Sequence, residues 1–218
     1  MKKLSFSSLL LLAYFLLVSS NSYAATIDYG FKKLAPNIES DLSGQLYVSA
    51  TEGTNSSNTG IFFTFHNVVG IASSITQLVM GDDDNIFSTI DLFNSSPGVE
   101  FDKSDNLNGN NYGFTKTFSQ SATGTNDGVD SASEWVTLFA IYNTAENFNS
   151  LLSAISNKKL HMGLHLQSIF PTDNSDRYVL SESPILGGFG NPVPLPAALW
   201  LFGPVLLGLM GFRKKAKV

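Results

Sequence analysis

The sequence predicts a mainly β protein, an antiparallel β-sandwich or jelly-roll-like domain with one short crossover helix. Three observations predict it. Several windows alternate apolar and polar residues at period two, the sign of half-buried strands. One window, EWVTLFAIY at 134–142, is apolar on both faces and suits a central strand. Turn-rich stretches separate these windows: GTNSSNTG, GDDDN, NSSPG, DNLNGNNYG and ATGTNDG.

Taken in order, Leu46, Val48 and Ala50 alternate with Gln45, Tyr47 and Ser49, and Ile61, Phe63 and Phe65 with Phe62, Thr64 and His66. Shorter candidate strands are 75–80, 86–92, 98–101 and 114–119. After the central strand, Phe148, Leu151, Leu152 and Ile155 fall at i, i+3, i+4 and i+7, one apolar helical stripe. Thr144 is the expected N-cap of this helix, and Glu146 suits the positive end of its dipole. Leu160, Met162, Leu164 and Leu166 then alternate with His161, Gly163, His165 and Gln167, and 177–180 supplies a last strand. Eight or nine strands of this kind suit a sandwich whose end the helix covers.

The chain has 218 residues and no Cys, which removes disulfide frameworks, zinc ribbons and thiol nucleophiles. Only 14% of residues are charged, against about 25% in an ordinary soluble domain. The balance is acidic, so a nucleic-acid partner is not expected. The net charge of −5 also conceals a split. Lys2 and Lys3 open the chain, and Arg213, Lys214, Lys215 and Lys217 close it. Between Ala25 and Pro192 only seven basic residues face all 18 acidic ones, a net −11. A charge split of this kind points to membrane topology.

Both ends carry the matching apolar segments. Residues 1–24 have the three parts of a signal peptide: Lys2 and Lys3, the run LLLLAYFLLV at 9–18, and small residues at Ser22 and Ala24. Signal peptidase is expected to cut between Ala24 and Ala25. At the other end, 195–212 is 18 residues without a charge, roughly 27 Å as a helix and close to the ~30 Å hydrocarbon thickness. It is apolar all round, unlike the single stripe of a soluble helix. The basic residues that follow should stay cytoplasmic. The organisation expected is therefore a signal peptide at 1–24, an exported domain at 25–192 and a C-terminal membrane signal at 193–218.

Ahead of the span, Pro192, Pro194 and Pro196 alternate, and each favours extended backbone in the residue before it. An extended segment at a membrane surface is one that a processing enzyme binds as a strand, and it also serves as a stiff spacer. The whole unit, VPLPAALWLFGPVLLGLMGFRKK, resembles the PEP-CTERM sorting signal in its VPLPA variant. The motif is Val193, Pro194, Leu195, Pro196 and Ala197; the helix runs on to Phe212; the basic cluster is Arg213, Lys214 and Lys215. Leu195 stands where the commonest pattern has Glu. The resemblance implies processing by exosortase, an integral-membrane transpeptidase-like enzyme, and a cell-surface or extracellular destination in a Gram-negative bacterium, often one that makes exopolysaccharide and biofilm. GQLYVSAT, IFFTFHNVVGIASSITQLVM, EWVTLFAIYNTAENFNSLLSAISNKKL and HMGLHLQSI also resemble the exported domain of such proteins, to which no chemistry is assigned.

Candidate chemistry within 25–192 is sparse. Asp82, Asp83 and Asp84, followed by Asn85, form the leading candidate for a hard cation such as calcium, though the spacing is not that of an EF-hand. Asp102, Asp105, Asn106 and Asn108 make a second acidic loop, and Asp173, Asn174 and Asp176 a third; solvated turns are the simpler reading of all three. His161 and His165 lie four apart on a strand, roughly 13 Å, too far to share an ion, and are expected as exposed strand residues. His66 has no visible partner. Tyr47, Tyr112, Trp135 and Tyr178 are candidates for stacking on sugars. No Gly-x-Ser-x-Gly elbow is present and nothing selects a carboxylate pair. The expectation is a non-enzymatic surface protein without a cofactor, associated with exopolysaccharide. A carbohydrate-binding module, with or without calcium, a hydrolase and an unprocessed single-pass membrane protein stay open as alternatives.

Overall fold

The computed structural model describes residues 25–34, 40–68, 70–104, 109–124 and 126–185. The elements follow the chain as β1 (Thr26–Lys33), β2 (Leu46–Asn55), β3 (Asn58–Asn67), β4 (Ser74–Asp82), β5 (Phe87–Ser95) and β6 (Phe101–Lys103). A 3-10 turn (Gly109–Tyr112) precedes β7 (Phe118–Ala122) and β8 (Trp135–Tyr142). Helix α1 (Phe148–Ser156), β9 (Leu160–Ile169) and β10 (Asn174–Pro184) complete the described chain.

All ten strands lie in one antiparallel sheet, ordered β5-β8-β3-β2-β1-β10-β9-β4-β7-β6. The mainly β, antiparallel character matches the sequence reading, but the two separate sheets of a sandwich do not form. The reason is β1, a strand that the sequence reading omitted. It pairs with β2 on one side (Thr26↔Thr51 through Gly30↔Tyr47) and with β10 on the other (Phe31↔Leu180, Lys33↔Tyr178). Without it the ladder would divide into β5-β8-β3-β2 and β10-β9-β4-β7-β6. Tyr29 and Phe31 of β1 are buried at alternate positions, so the strand contributes to the core as well as to the hydrogen-bond ladder.

Curling brings the inward faces of both halves onto a single core. Ile61, Phe63 and Phe65 of β3 and Val136, Leu138 and Ala140 of β8 join Ile75, Leu78 and Met80 of β4 and Met162, Leu164 and Leu166 of β9 in one cluster. Phe63 meets Phe87 edge-on at 5.8 Å and Phe31 lies 6.3 Å from Phe65. The edge strands β5 and β6 do not pair. They face each other across an open groove lined by 89–92 and 101–103 and floored by Phe101 and Phe118.

Turn chemistry sets the register. Ser56 and Ser57, both at positive φ (47° and 76°), connect β2 to β3 in a two-residue turn of the kind that matches strand twist. Helix α1 is capped by Asn147, not by Thr144: the Asn147 side chain accepts from Asn149 N at 2.9 Å, and Ser150 Oγ accepts from Asn147 N at 3.3 Å. A side chain at the cap satisfies amides that the helix leaves unpaired. Leu151, Ala154 and Ile155 are the residues that α1 buries. At the opposite end of the sheet a polar cluster ties loops together, with Gln45 Nε2 donating to Asn67 Oδ1 (2.7 Å), Ile71 N donating to Gln45 Oε1 (2.8 Å) and Asn67 Nδ2 donating to Ser73 O (2.7 Å).

The neighbouring first and last strands also fix where the chain enters and leaves. Tyr29 is opposite Pro184, and Ile185 N donates to Asp28 O at 2.8 Å, three residues from Ala25. Both ends of the described domain therefore sit at one pole, the pole that also carries α1. Among the described residues no helix is long and apolar enough to cross a membrane.

Candidate functional site

The sorting residues expected from the sequence, Val193, Pro194, Leu195, Pro196 and Ala197, the cluster Arg213, Lys214 and Lys215, and the signal residue Ala24 lie outside the described residues. Ala25 is described, and its carbonyl accepts from Glu52 N at 2.9 Å.

The acidic candidates disperse. The Asp82 carboxylate accepts from Ile86 N (3.1 Å) and Phe87 N (2.9 Å), so it fixes the turn into β5. Asp83 faces His161 Nε2 at 3.4 Å, and Asp84 is exposed. Among the described residues no group of three or more His, Asp or Glu side chains gathers at one point. Asp102 sits in β6, while Asp105, Asn106 and Asn108 lie outside the described residues. Asp176 turns inward to Lys33 at 3.1 Å, and Asn174 donates to Thr172 Oγ1 at 2.8 Å.

The histidines correct the sequence reading. His165 is buried, 8% exposed, and its Nδ1 has no hydrogen-bond partner. Burial lowers its pKa and the Arg177 charge lowers it further, against Asp176. His66 has a partner after all: its ring stacks on Tyr47 with centroids 4.5 Å apart, and burial lowers its pKa while Asp28 opposes the shift. Tyr178, a sugar-stacking candidate, is fully buried; its hydroxyl accepts from Leu42 N at 3.1 Å, and burial pushes its pKa up to about 12.

The feature that the sequence reading missed is a strap. The segment around 109–114, between β6 and β7, crosses the outer surface of β4, β9 and β10. Tyr112 and Phe114 form a second apolar cluster there with Val79 and Val179. The Tyr112 ring lies directly on Gly163, where a Cβ would stand 2.4 Å from its Cδ1, and Phe114 stacks on His161 at 5.0 Å with a 10° interplanar angle. Burial pushes the Tyr112 pKa up to about 12, against the Arg177 guanidinium that lies 6.0 Å from the ring centre. A glycine inside an otherwise alternating strand signals such a close approach, and Gly163 in LHMGLHLQ was that signal.

Between strap, helix and sheet lies a cavity of about 120 Å3. Ile155, Met162 and Val179 are among its apolar lining residues, Tyr112, Phe114 and His161 its aromatic ones. At its rim Lys32 Nζ and Lys158 Nζ approach the same oxygen of Glu182, at 3.0 and 3.5 Å. The hydrogen bond from Lys32, ahead of the two lysine charges, holds the Glu182 carboxyl below its usual range. Compared with known proteins, the chain matches no family model, no curated sequence and no solved structure.

Proposed function

We propose that the protein is an exported, non-enzymatic surface protein of a Gram-negative bacterium, held at the inner membrane by its C-terminal helix and processed at the VPLPA segment by exosortase. The domain between signal peptide and sorting signal is then the cargo, delivered to the cell surface or the surrounding polysaccharide matrix. The observation that carries this reading is the order of parts in VPLPAALWLFGPVLLGLMGFRKK: proline motif, uncharged 18-residue stretch, basic stop. The acidic middle between basic ends supports it, because positive ends stay cytoplasmic while the remainder crosses.

The test is the intact mass of the native protein recovered from its own cell envelope and medium. A mature chain beginning at Ala25 and ending within Val193–Ala197 is the expected result. A chain that keeps Val218 in every fraction overturns sorting and leaves a permanent single-pass membrane protein.

A further inference from the structure

The seam between β5 and β6 leaves the curled sheet unclosed. Among the described strands β5 pairs only with β8 and β6 only with β7, so along 89–92 and 101–103 each turns an unpaired edge of backbone groups into the groove. The groove holds about 560 Å3, within the usual range of binding clefts. Register fixes which side chains point which way, because residues directly opposite one another share a face of the sheet. Ile90 and Leu92 lie opposite Ala140 and Leu138, which belong to the core. Lys103 lies opposite Gln120, and Gln120 opposite the core residue Leu78. Lys103 and Gln120 are therefore on the core side, with Phe101 and Phe118. Gln120 is 5% exposed and its Oε1 has no hydrogen-bond partner. Asp91 and Asp102, one position away from Leu92 and Lys103, are on the outer side. Asp91, Asp102 and Lys103 enter no ion pair among the described residues.

Occupants differ in what they do to the two edges. An acyl chain would cover the apolar floor but bury backbone donors and acceptors unpaired. A linear sugar has no side chain at every second position to meet Ile90, Leu92, Phe101 and Phe118. A second copy of this chain, joined edge to edge with its outer side outward, brings its own Asp91 or Asp102 to the same side as these carboxylates. An extended polypeptide pairs with both edges and sets alternate side chains on the floor. We propose that the seam takes an extended segment of another protein as an added strand. Its core-side positions are apolar apart from one acidic side chain at Lys103, and its outer side carries a basic side chain between Asp91 and Asp102. A hydroxyl or amide of the same strand supplies the donor that Gln120 Oε1 lacks. This inference concerns a different site from the sorting signal and stands or falls apart from it.

The experiment is calorimetric titration of the full-length chain in detergent with the peptide acetyl-Thr-Val-Lys-Val-Thr-Glu-Thr-Ser-Thr-amide. As a strand it puts both Val, Glu and Ser on one face and Lys on the other. A second peptide exchanges Lys and Glu, keeping composition and net charge. A third is the first N-methylated at alternate residues, so that it cannot donate along one edge. The first should bind saturably and about tenfold more tightly than the other two. Its binding should slow hydrogen exchange at the backbone amides of 89–92 and 101–103. Lys103→Ala and Asp91→Ala should each weaken it about threefold or more, whereas Lys159→Ala, which removes a cation outside the groove lining, should leave it unchanged. Melting curves of each variant establish that the fold is kept. Absence of saturable binding, equal binding of the exchanged or N-methylated peptide, or protection confined to other strands would each overturn the proposal. So would tighter binding of maltohexaose at the same amides, which would give the seam to a sugar, or protection that grows with protein concentration alone, which would give it to a second copy.

Discussion

The two halves of the curled sheet are built alike on the inside and differently on the outside. On β10-β9-β4 the outer surface is covered by the chain itself, through Tyr112 and Phe114 of the strap, at 5% and 8% exposure. On β2-β3-β8-β5 no such strap crosses among the described residues. There the strands cover one another by cross-strand pairs: Phe62 against Phe139 at 4.5 Å and Phe93 at 4.9 Å, Thr64 Oγ1 with Thr137 Oγ1 at 2.9 Å, Ser49 Oγ with Asp28 at 2.6 Å, and the Tyr47–His66 stack. Phe93 remains 47% exposed. A loop that buries whole aromatic rings concentrates its energy in a few contacts, whereas a ladder of pairs spreads small contributions over many residues.

That difference is open to attack by substitution. Tyr112→Ala should cost about 3 kcal/mol in urea unfolding, because a buried ring is lost and its space stays open. Phe62→Ala, which removes a half-buried ring from the other half, should cost about 1 kcal/mol. Equal losses would break the contrast. The same small change sharpens it further. Gly163→Ala drives a Cβ to 2.4 Å from Cδ1 of the buried Tyr112 ring and should cost roughly 1–3 kcal/mol. Gly53→Ala brings a Cβ to 2.7 Å from Phe62 Cε2, but that ring is only half-buried, so the cost should stay under about 1 kcal/mol.

The smallest effect expected is on pH dependence. His165 belongs to the strapped half and His66 to the laddered half, and both have ring pKa values lowered chiefly by burial. Below about pH 6.5 the unfolded chain therefore takes up protons that the folded chain resists, so stability is full above that pH and falls as the solution is acidified. The melting temperature should decline between about pH 7 and pH 5. His165→Gln should flatten that decline more than His66→Gln, since at His165 the Arg177 charge adds to burial and outweighs the opposing Asp176, while at His66 Asp28 opposes burial with no cation beside it. An unchanged pH profile in both variants would remove the histidines from the account.

Much of this fold was legible from periodicity alone. β2, β3 and β9 alternate cleanly because each presents one face to a shared core, and β8 reads as apolar throughout because Phe139 and Thr137, on its outer face, are nearly as enclosed as Val136 and Leu138. β1 escaped because TIDYGFKK carries a glycine and two lysines that mask the alternation of Tyr29 and Phe31. Its omission turned one sheet into two, so a single missed strand altered the architecture. The strap and its cavity were hidden for another reason: they arise from contacts between Tyr112 and Gly163, 51 positions apart, which no local pattern announces.

The adjacency of β1 and β10 has a mechanical consequence. β10 runs toward the pole where the C-terminal segment leaves and is flanked on both sides by antiparallel ladders. Tension drawn through that segment, with the domain gripped near its far pole, loads the strand along its own axis. The hydrogen bonds to β1 and β9 then share the force in shear instead of opening one after another, which is the arrangement that lets a tethered domain resist being pulled apart.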